Sequence, residues 1–160
     1  MSSSTFDLHE LEFRRIETIL SRMHRDLRAD VILLTSRGGQ PIVTVGHSEN
    51  IDNAALASLA TADLSAADGL AKIIGEEKFP ALLHQGRRRS IFISTLLQHY
   101  SLILVFDAKA SSGLVYYKCR QTLLLLEDVL RDCCRRMKKE ESTSGMLEFS
   151  DEELEALLGE

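Results

Sequence analysis

Apolar residues recur along the chain at two different spacings, and the alternation of these spacings predicts alternating helices and strands. Over residues 6–27 they recur every three or four positions with charges between them, which indicates an amphipathic helix. The next two apolar runs, residues 30–36 and 42–46, are short and rich in Leu and β-branched side chains, so they predict strands. The few turn residues between them, RGGQP, predict an antiparallel hairpin.

A second helix and three further strands occupy the middle of the chain. Residues 50–74 predict the helix, which Asn50 or Asp52 can cap and Gly75 can end. Short strands at 81–86, 90–97 and 101–107 are separated by the turns RRR and QHY, and a last helix spans residues 112–137.

The predicted order is therefore helix, two strands, helix, three strands, helix. Strands joined by tight turns are antiparallel, so the sequence predicts an α+β domain with a mostly antiparallel five-stranded sheet. The first and last helices can cover one face of this sheet. The middle helix then has to cover the other face or pack on a second copy of the chain.

The chain divides into one domain and a C-terminal appendage. A length of 160 residues fits about one domain, which we place at residues 1–137. Residues 138–147 have the composition of a flexible linker, and residues 148–160 predict a short amphipathic helix with an S-x-x-E capping box formed by Ser150 and Glu153. Its apolar edge consists of Phe149, Leu154, Leu157 and Leu158. Such a segment is either a frayed acidic end or a hook that folds in a partner's groove.

The middle helix has two distinct sides at 100° per residue. One side is apolar and predicts a core face, with Asp63 projecting near it; the opposite side carries almost only small residues, which let another backbone come close. The apolar side consists of Leu56, Leu59, Ala66, Leu70, Ile73 and Ile74. The small side consists of Ala54, Ala57, Ser58, Thr61, Ser65, Asp68, Gly69 and Lys72. We expect the small side to contact another chain; the alternative is a helix buried on both sides.

Composition and charge narrow the class of protein. The apolar fraction is 44% and the charged fraction 27%, which suits a globular domain. A net charge of −5 argues against non-specific binding to nucleic acid. Three cysteines without a CxxC pair predict a reducing cytoplasm, and of the adjacent Cys133 and Cys134 we expect one in the core and one partly exposed. The start lacks the features of a signal peptide and the apolar runs are too short to cross a bilayer, so we expect no membrane insertion.

The sequence carries none of the motifs of common catalytic or metal sites. Its five histidines are scattered, and it has neither a phosphate-binding P-loop nor a G-x-S-x-G elbow. The basic cluster GRRRS, with Arg87, Arg88 and Arg89, could grip an acidic partner or a phosphate, but such clusters are more often solvated hairpin turns. We therefore expect no enzyme activity, cofactor or metal.

Several segments resemble, in their order, the bacterial Roadblock (dynein light chain–related) domains over about residues 6–137. They are most like the MglB branch of that family, whose members are partners of the small Ras-like GTPase MglA. The acidic tail FSDEELEALLGE also resembles that branch. The other matching segments are GGQPIVTVG, NIDNAALASLATADLSAADGLAKIIGE, FPALLHQG, SIFISTL and LILVFDAKASSGLVYYK.

This resemblance implies a Roadblock homodimer in which the sheet continues across the two copies. The strand after the middle helix pairs with its mate, and the two middle helices form a platform for a GTPase. The implied dimer contacts are Leu82, Leu83, His84 and Gln85. The implied GTPase contacts are Ala57, Thr61, Ser65, Asp68 and Gly69, with Phe149, Leu154, Leu157 and Leu158 of the tail.

The resemblance also implies a function. The dimer would bind an MglA-like GTPase in its GTP form and stimulate hydrolysis by repositioning the switch regions, without an arginine finger. The tail would aid nucleotide exchange, and the process would be cell polarity or motility, in the cytoplasm or at a cell pole. The alternative is a Roadblock scaffold without effect on hydrolysis, which links polarity regulators such as other Roadblock proteins or response regulators.

Overall fold

The computed structural model describes residues 8–147 and, beyond them, Glu153, Ala156 and Gly159. The predicted capping residue Ser150 and the apolar tail residues Phe149, Leu154, Leu157 and Leu158 lie outside the described residues. The element order is α, β, β, α, β, β, β, α, as predicted. The elements are α1 (Glu10–Leu27), β1 (Val31–Ser36), β2 (Pro41–Gly46), α2 (Asn53–Ile73), β3 (Ala81–Gln85), β4 (Arg89–Leu96), β5 (Tyr100–Asp107) and α3 (Ser112–Leu147).

The five strands form one antiparallel sheet in the order β2-β1-β5-β4-β3. The predicted hairpin is β1 with β2, and the predicted meander is β3, β4 and β5. All six residues of β1 are buried because helices cover both faces of the sheet, which explains why that strand reads as a continuous apolar run. The strands β2 and β3 are the two edges of the sheet.

The helices α1 and α3 cover one face of the sheet as an antiparallel pair. Lys118, near the start of α3, lies 3.2 Å from Asp26 near the end of α1. At the other end of the pair, Arg136 lies 2.5 Å from Glu12. The first helix begins at Glu10, later than predicted, and the Glu12 carboxylate accepts a hydrogen bond from the His9 backbone amide at 3.3 Å. Along the described residues, no helix has the length and apolar character that crossing a bilayer requires.

The helix α2 covers the other sheet face, and here one sequence prediction was wrong. Its buried side chains are Ala57, Ala60, Ala67 and Ala71. The large residues predicted for the core point outwards: Leu59, Leu70, Ile73 and Ile74 are 70%, 60%, 81% and 67% exposed, and Ala66 is exposed too. Leu56 alone of the predicted core side packs against the sheet, half-buried.

Small side chains bring α2 close to the sheet and to the turn between β1 and β2. Gly39 in that turn has a φ of +81°, and a Cβ built there would lie 2.9 Å from the Thr61 hydroxyl and 3.2 Å from the Ala57 carbonyl. A larger side chain at Gly39, or on the side of α2 that faces it, would push the helix away from the turn. The start of α2 is capped as predicted, because the Asp52 side chain accepts a hydrogen bond from the Ala55 amide at 3.0 Å.

Ala57→Leu is expected to lower the free energy of unfolding by about 1–3 kcal/mol, because Ala57 is fully buried and the added methyl groups would overpack the interface of helix and sheet. Ala62→Leu is the matched control, since Ala62 lies on the exposed side of the same helix. Urea denaturation at equal protein concentration measures both. Equal stability of the two variants would contradict the alanine packing described above.

The last helix is longer than the sequence predicted. The structure continues α3 through residues 138–147, which were predicted as a flexible linker. The Lys and Glu residues at its start favour helix, and the Thr143 hydroxyl donates a hydrogen bond of 2.8 Å to the Lys139 carbonyl. The Ser, Thr and Gly residues that suggested a linker have low helix propensity. Extending a helix that is already formed costs less than starting one, so these residues do not end α3.

The cysteines of α3 serve packing. Cys119 and Cys133 are buried and Cys134 is half-buried, which confirms the prediction for the adjacent pair. Burial raises the pKa of Cys119 to about 12, and burial also raises the pKa of Cys133. Both thiols are therefore protonated near neutral pH and are poor nucleophiles.

Candidate partner-binding surface

Two different stripes run along the sides of α2 that do not pack on the sheet. One is large and apolar, formed by Leu59, Leu70 and Ile73. The other, which we call the small polar stripe, is formed by Thr61, Ser65, Asp68 and Gly69. The fully buried residues of this helix are all alanines, while Leu59, Leu70 and Ile73 are exposed to water, and an exposed apolar surface of this kind marks an interaction site.

The apolar stripe lies on the side of α2 that faces β3. Asp63, one turn from Leu59, lies 2.5 Å from the His84 ring nitrogen Nε2 on β3. The sequence alone did not show which residue Asp63 contacts, and the structure shows that it is His84. The neighbouring Leu83 is 44% exposed and points to the other face of the sheet, because its ladder partner Phe92 belongs to the core under α1 and α3. The stripe therefore lies beside the β3 edge on the α2 face of the sheet.

The edge strand β3 has β4 on one side only. Its outer backbone amides and carbonyls lack a strand partner within the described residues, and such an edge can pair with a strand of another chain. Of the predicted dimer residues, Leu82 is half-buried against the α2 side of the sheet, and Leu83, His84 and Gln85 are exposed. All of them lie on the edge strand, and their contact with a second copy stays a prediction.

The small polar stripe contains four of the five predicted GTPase contacts that lie on α2. Thr61 is half-buried and its hydroxyl donates to the Ala57 carbonyl at 2.9 Å. Ser65 is exposed and its hydroxyl donates to the Thr61 carbonyl at 3.2 Å. No atom lies within 4 Å of a Cβ built on Gly69, so this position is open. Ala57 is wrong as a contact residue, because it is fully buried against the sheet and cannot reach a partner.

Asp68, the fourth member, lies at a polar cleft with Ser65. The cleft has a volume of about 130 Å³ and lies between α2 and the end of the sheet where β4 turns into β5. Its lining includes the Asp68 carboxylate and two cationic side chains. Its polar lining residues include Arg37, Ser65, Asp68, Lys78, Thr95 and Gln98. The small polar stripe therefore has charges of both signs beside it.

The three consecutive arginines lie at the other end of β4. Arg87 and Arg88 are in the exposed turn before β4, as predicted. Arg89 is the first residue of β4, and its Nε lies 2.9 Å from the Asp30 carboxylate. The cleft beside Ser65 is instead lined by residues from the end of β4 and from the turn that follows it. The arginines therefore lie at the start of β4, and the small polar stripe of α2 lies beside the end of that strand.

Most of this arrangement of helices and strands lies within a segment that matches a known family. A family model, Roadblock/LC7 domain, matches residues 15–106. The chain belongs to the Roadblock/LC7 domain family. The matched range holds most of α1, the whole sheet but its last residue, and α2, so both stripes of α2 lie within the Roadblock domain.

Solved structures place this Roadblock protein near MglB. MglB from Myxococcus xanthus is 32% identical with a TM-score of 0.73, and the match covers 79% of this chain and 95% of that one. The gliding protein MglB from Thermus thermophilus is 25% identical with a TM-score of 0.75, covering 82% and 99%. A Roadblock/LC7 domain from Streptomyces avermitilis shares the fold at 14% identity and a TM-score of 0.65, covering 72% and 97%. A search of curated protein sequences finds no significant match.

Sequence reasoning missed the exposure of Leu59, Leu70 and Ile73. One signal for it was present. The positions 57, 60, 64, 67 and 71 follow steps of three and four residues, which is the spacing of a helix face, and they carry four alanines and one leucine. The helix therefore had two candidate core faces, and hydrophobicity alone favoured the wrong one.

Proposed function

We propose that this Roadblock protein, related to MglB, is a homodimeric regulator of an MglA-like small Ras-like GTPase. One observation carries the proposal: α2 presents an apolar stripe beside the uncovered β3 edge and, on its other side, a small polar stripe. Pairing through the first surface leaves the second open on both copies. Two adjacent small polar stripes then form a platform on which a GTPase can lie.

The proposed activity is stimulation of GTP hydrolysis without an arginine supplied by this chain. Hydrolysis requires an oriented water and stabilisation of charge at the γ-phosphate. A platform that binds one conformation of the switch regions can supply this indirectly, by raising the population of the competent GTPase conformation. The position of the arginines supports this reading, since Arg89 is paired with Asp30 and all three lie away from the small polar stripe.

The proposed setting is the control of cell polarity or motility in the cytoplasm, including the cell pole. The similar protein from Thermus thermophilus is a gliding protein, which supports this setting. Regulation of a polarity GTPase also suits a protein whose recognisable feature is a surface for protein partners.

GTP turnover by an MglA-like GTPase, measured with and without saturating amounts of this protein, tests the proposal. We expect turnover to rise, and GTP-loaded GTPase to bind more tightly than the GDP-loaded form. Binding without any rise in turnover would favour the scaffold function. Neither binding nor acceleration with GTPase from the same organism would overturn the proposal.

The tail is proposed to act as a hook that binds the GTPase and aids nucleotide exchange. Deletion of residues 150–160 is expected to leave the homodimer intact and to weaken GTPase binding or exchange. The reason is the apolar edge of the predicted tail helix, which gains burial only in a partner's groove. Exchange of a fluorescent nucleotide measures the effect.

A matched pair of variants separates a hook from a merely acidic end. Leu157→Glu should reproduce the deletion, because it places a charge in the apolar edge. Glu155→Gln changes the tail's charge but not this edge, so it should behave as the unaltered protein. An effect of Glu155→Gln equal to that of Leu157→Glu would point to charge alone.

A further inference from the structure

A second apolar surface lies on α3, on the opposite side of the sheet from α2. Its centre is Leu124, which is 61% exposed and points away from the core, with Tyr117 58% exposed two turns earlier. At 100° per residue, Tyr117 and Leu124 lie nearly opposite the buried face of the helix, which contains Cys119 and Leu126. Nothing within the described residues covers this outer face.

The charged residues around Leu124 are arranged symmetrically along the helix. Arg120 lies one turn before Leu124 and Asp128 one turn after it, and both are exposed. Within the described part of the chain neither of them has an ion-pair partner. Two turns before Leu124 lies the exposed ring of Tyr117, and two turns after it lies the exposed cation of Arg131.

This symmetry makes the outer face of α3 complementary to itself in an antiparallel arrangement. If two copies of α3 cross antiparallel about Leu124, each Arg120 faces the other copy's Asp128. Each Tyr117 ring then faces the other copy's Arg131, which allows a cation–π contact. The two Leu124 side chains meet on the two-fold axis. A parallel arrangement would instead place Arg120 beside Arg120 and Asp128 beside Asp128, which is repulsive.

We infer that the outer face of α3 from Tyr117 to Arg131 is an antiparallel self-association surface, whose partner is a second copy of this chain. A two-fold contact uses the same patch on both copies, and this patch has the required symmetry of charge. The surface is separate from α2 and β3, so the inference stands independently of the proposed homodimer. Where that homodimer forms as well, the α3 contact links dimers into tetramers or longer assemblies.

The contact is expected to be weak. Fifteen residues of helix extend over about 21 Å, and one pair of helices of this length buries less than the roughly 800 Å² per partner of a stable interface. Association should therefore become visible only at high protein concentration, between about 10 µM and 1 mM, since small contacts of this kind have affinities in that range.

Charge reversal tests the inference. Arg120→Asp and Asp128→Arg, each alone, place like charges opposite each other and should weaken the association about tenfold. The double variant Arg120→Asp with Asp128→Arg restores opposite charges and should recover it. Sedimentation equilibrium measures the mass, and both positions are exposed, so circular dichroism and urea denaturation should show an unchanged fold. An unaffected mass in the single variants, or no recovery in the double variant, would overturn the inference.

Site-specific cross-linking checks the antiparallel register. In a Cys134→Ser background, Leu124→Cys should give a covalent dimer on mild oxidation with diamide, because the two Leu124 positions meet on the axis. Arg131→Cys is the matched control and should cross-link poorly, because its counterpart is Tyr117 rather than itself. Equal cross-linking of the two variants would exclude this register. Loss of the mass increase after deletion of residues 148–160 alone would instead make the tail the occupant of this face and overturn the inference.

Discussion

A double substitution of Leu70→Arg and Ile73→Arg is expected to convert the proposed homodimer into a monomer. These side chains are 60% and 81% exposed in the single chain and would be buried beside the partner's α2. Two charges in an apolar contact lose their hydration without gaining a partner, so association should weaken by about a hundredfold or more. Size-exclusion chromatography with light scattering measures the mass.

The control for this substitution is Thr18→Arg. Thr18 is exposed on α1, on the other face of the sheet from α2, so it tests the effect of an added surface arginine. It should remain dimeric. The double variant should keep the urea denaturation midpoint expected of an intact domain, since neither residue contributes to the core. A double variant that stays dimeric with unchanged affinity would show that α2 is not part of the interface.

Ser65→Arg and Gly69→Arg are each expected to abolish stimulation of the GTPase while leaving the homodimer intact. Both positions lie on the small polar stripe, where a long charged side chain would hold a partner away from the helix. The domain should fold normally, because Ser65 is exposed and no atom lies within 4 Å of a Cβ at Gly69. GTP turnover with increasing amounts of each variant measures the loss.

Gly69→Ala is the conservative control at the same position. It adds one methyl group in open space and should retain GTPase binding. It should also raise the free energy of unfolding by about 0.5–1 kcal/mol, because glycine is a poor helix residue. Full stimulation of the GTPase by both arginine variants would move the partner site away from this stripe.

Much of the fold could be predicted from local patterns. The run at β1 alternates little because both faces of that strand are buried, and the short turns around it require antiparallel neighbours. The cap at Asp52 and the end of α2 before Gly75 follow from local chemistry, since capping and left-handed backbone are properties of a few adjacent residues. The position of Cys133 in the core and Cys134 at its margin likewise follows from helix geometry.

The candidate surface was predictable only in part. The small polar residues Thr61, Ser65, Asp68 and Gly69 were identified correctly as a separate side of the helix. Ala57 was assigned to the same side but lies in the core, about 40° from Thr61 on the helix. The β3 edge could be predicted as a strand, but its place at the edge depends on which strands it pairs with.

The sequence by itself determined the order of the elements, the pairing of adjacent strands, the helix caps and the absence of familiar catalytic motifs. These features depend on residues that are neighbours along the chain. Only the tertiary structure decided that α2 packs through its alanines, that Asp63 meets His84 and that α3 continues through residues 138–147. The physical reason is shape: the centre of the contact between α2 and the sheet is filled by small side chains, with Leu56 at its margin, and the distance between helix and sheet is set by residues far apart in sequence. Hydrophobic pattern reports which side of a helix avoids water, but packing decides whether that side meets its own sheet or another chain.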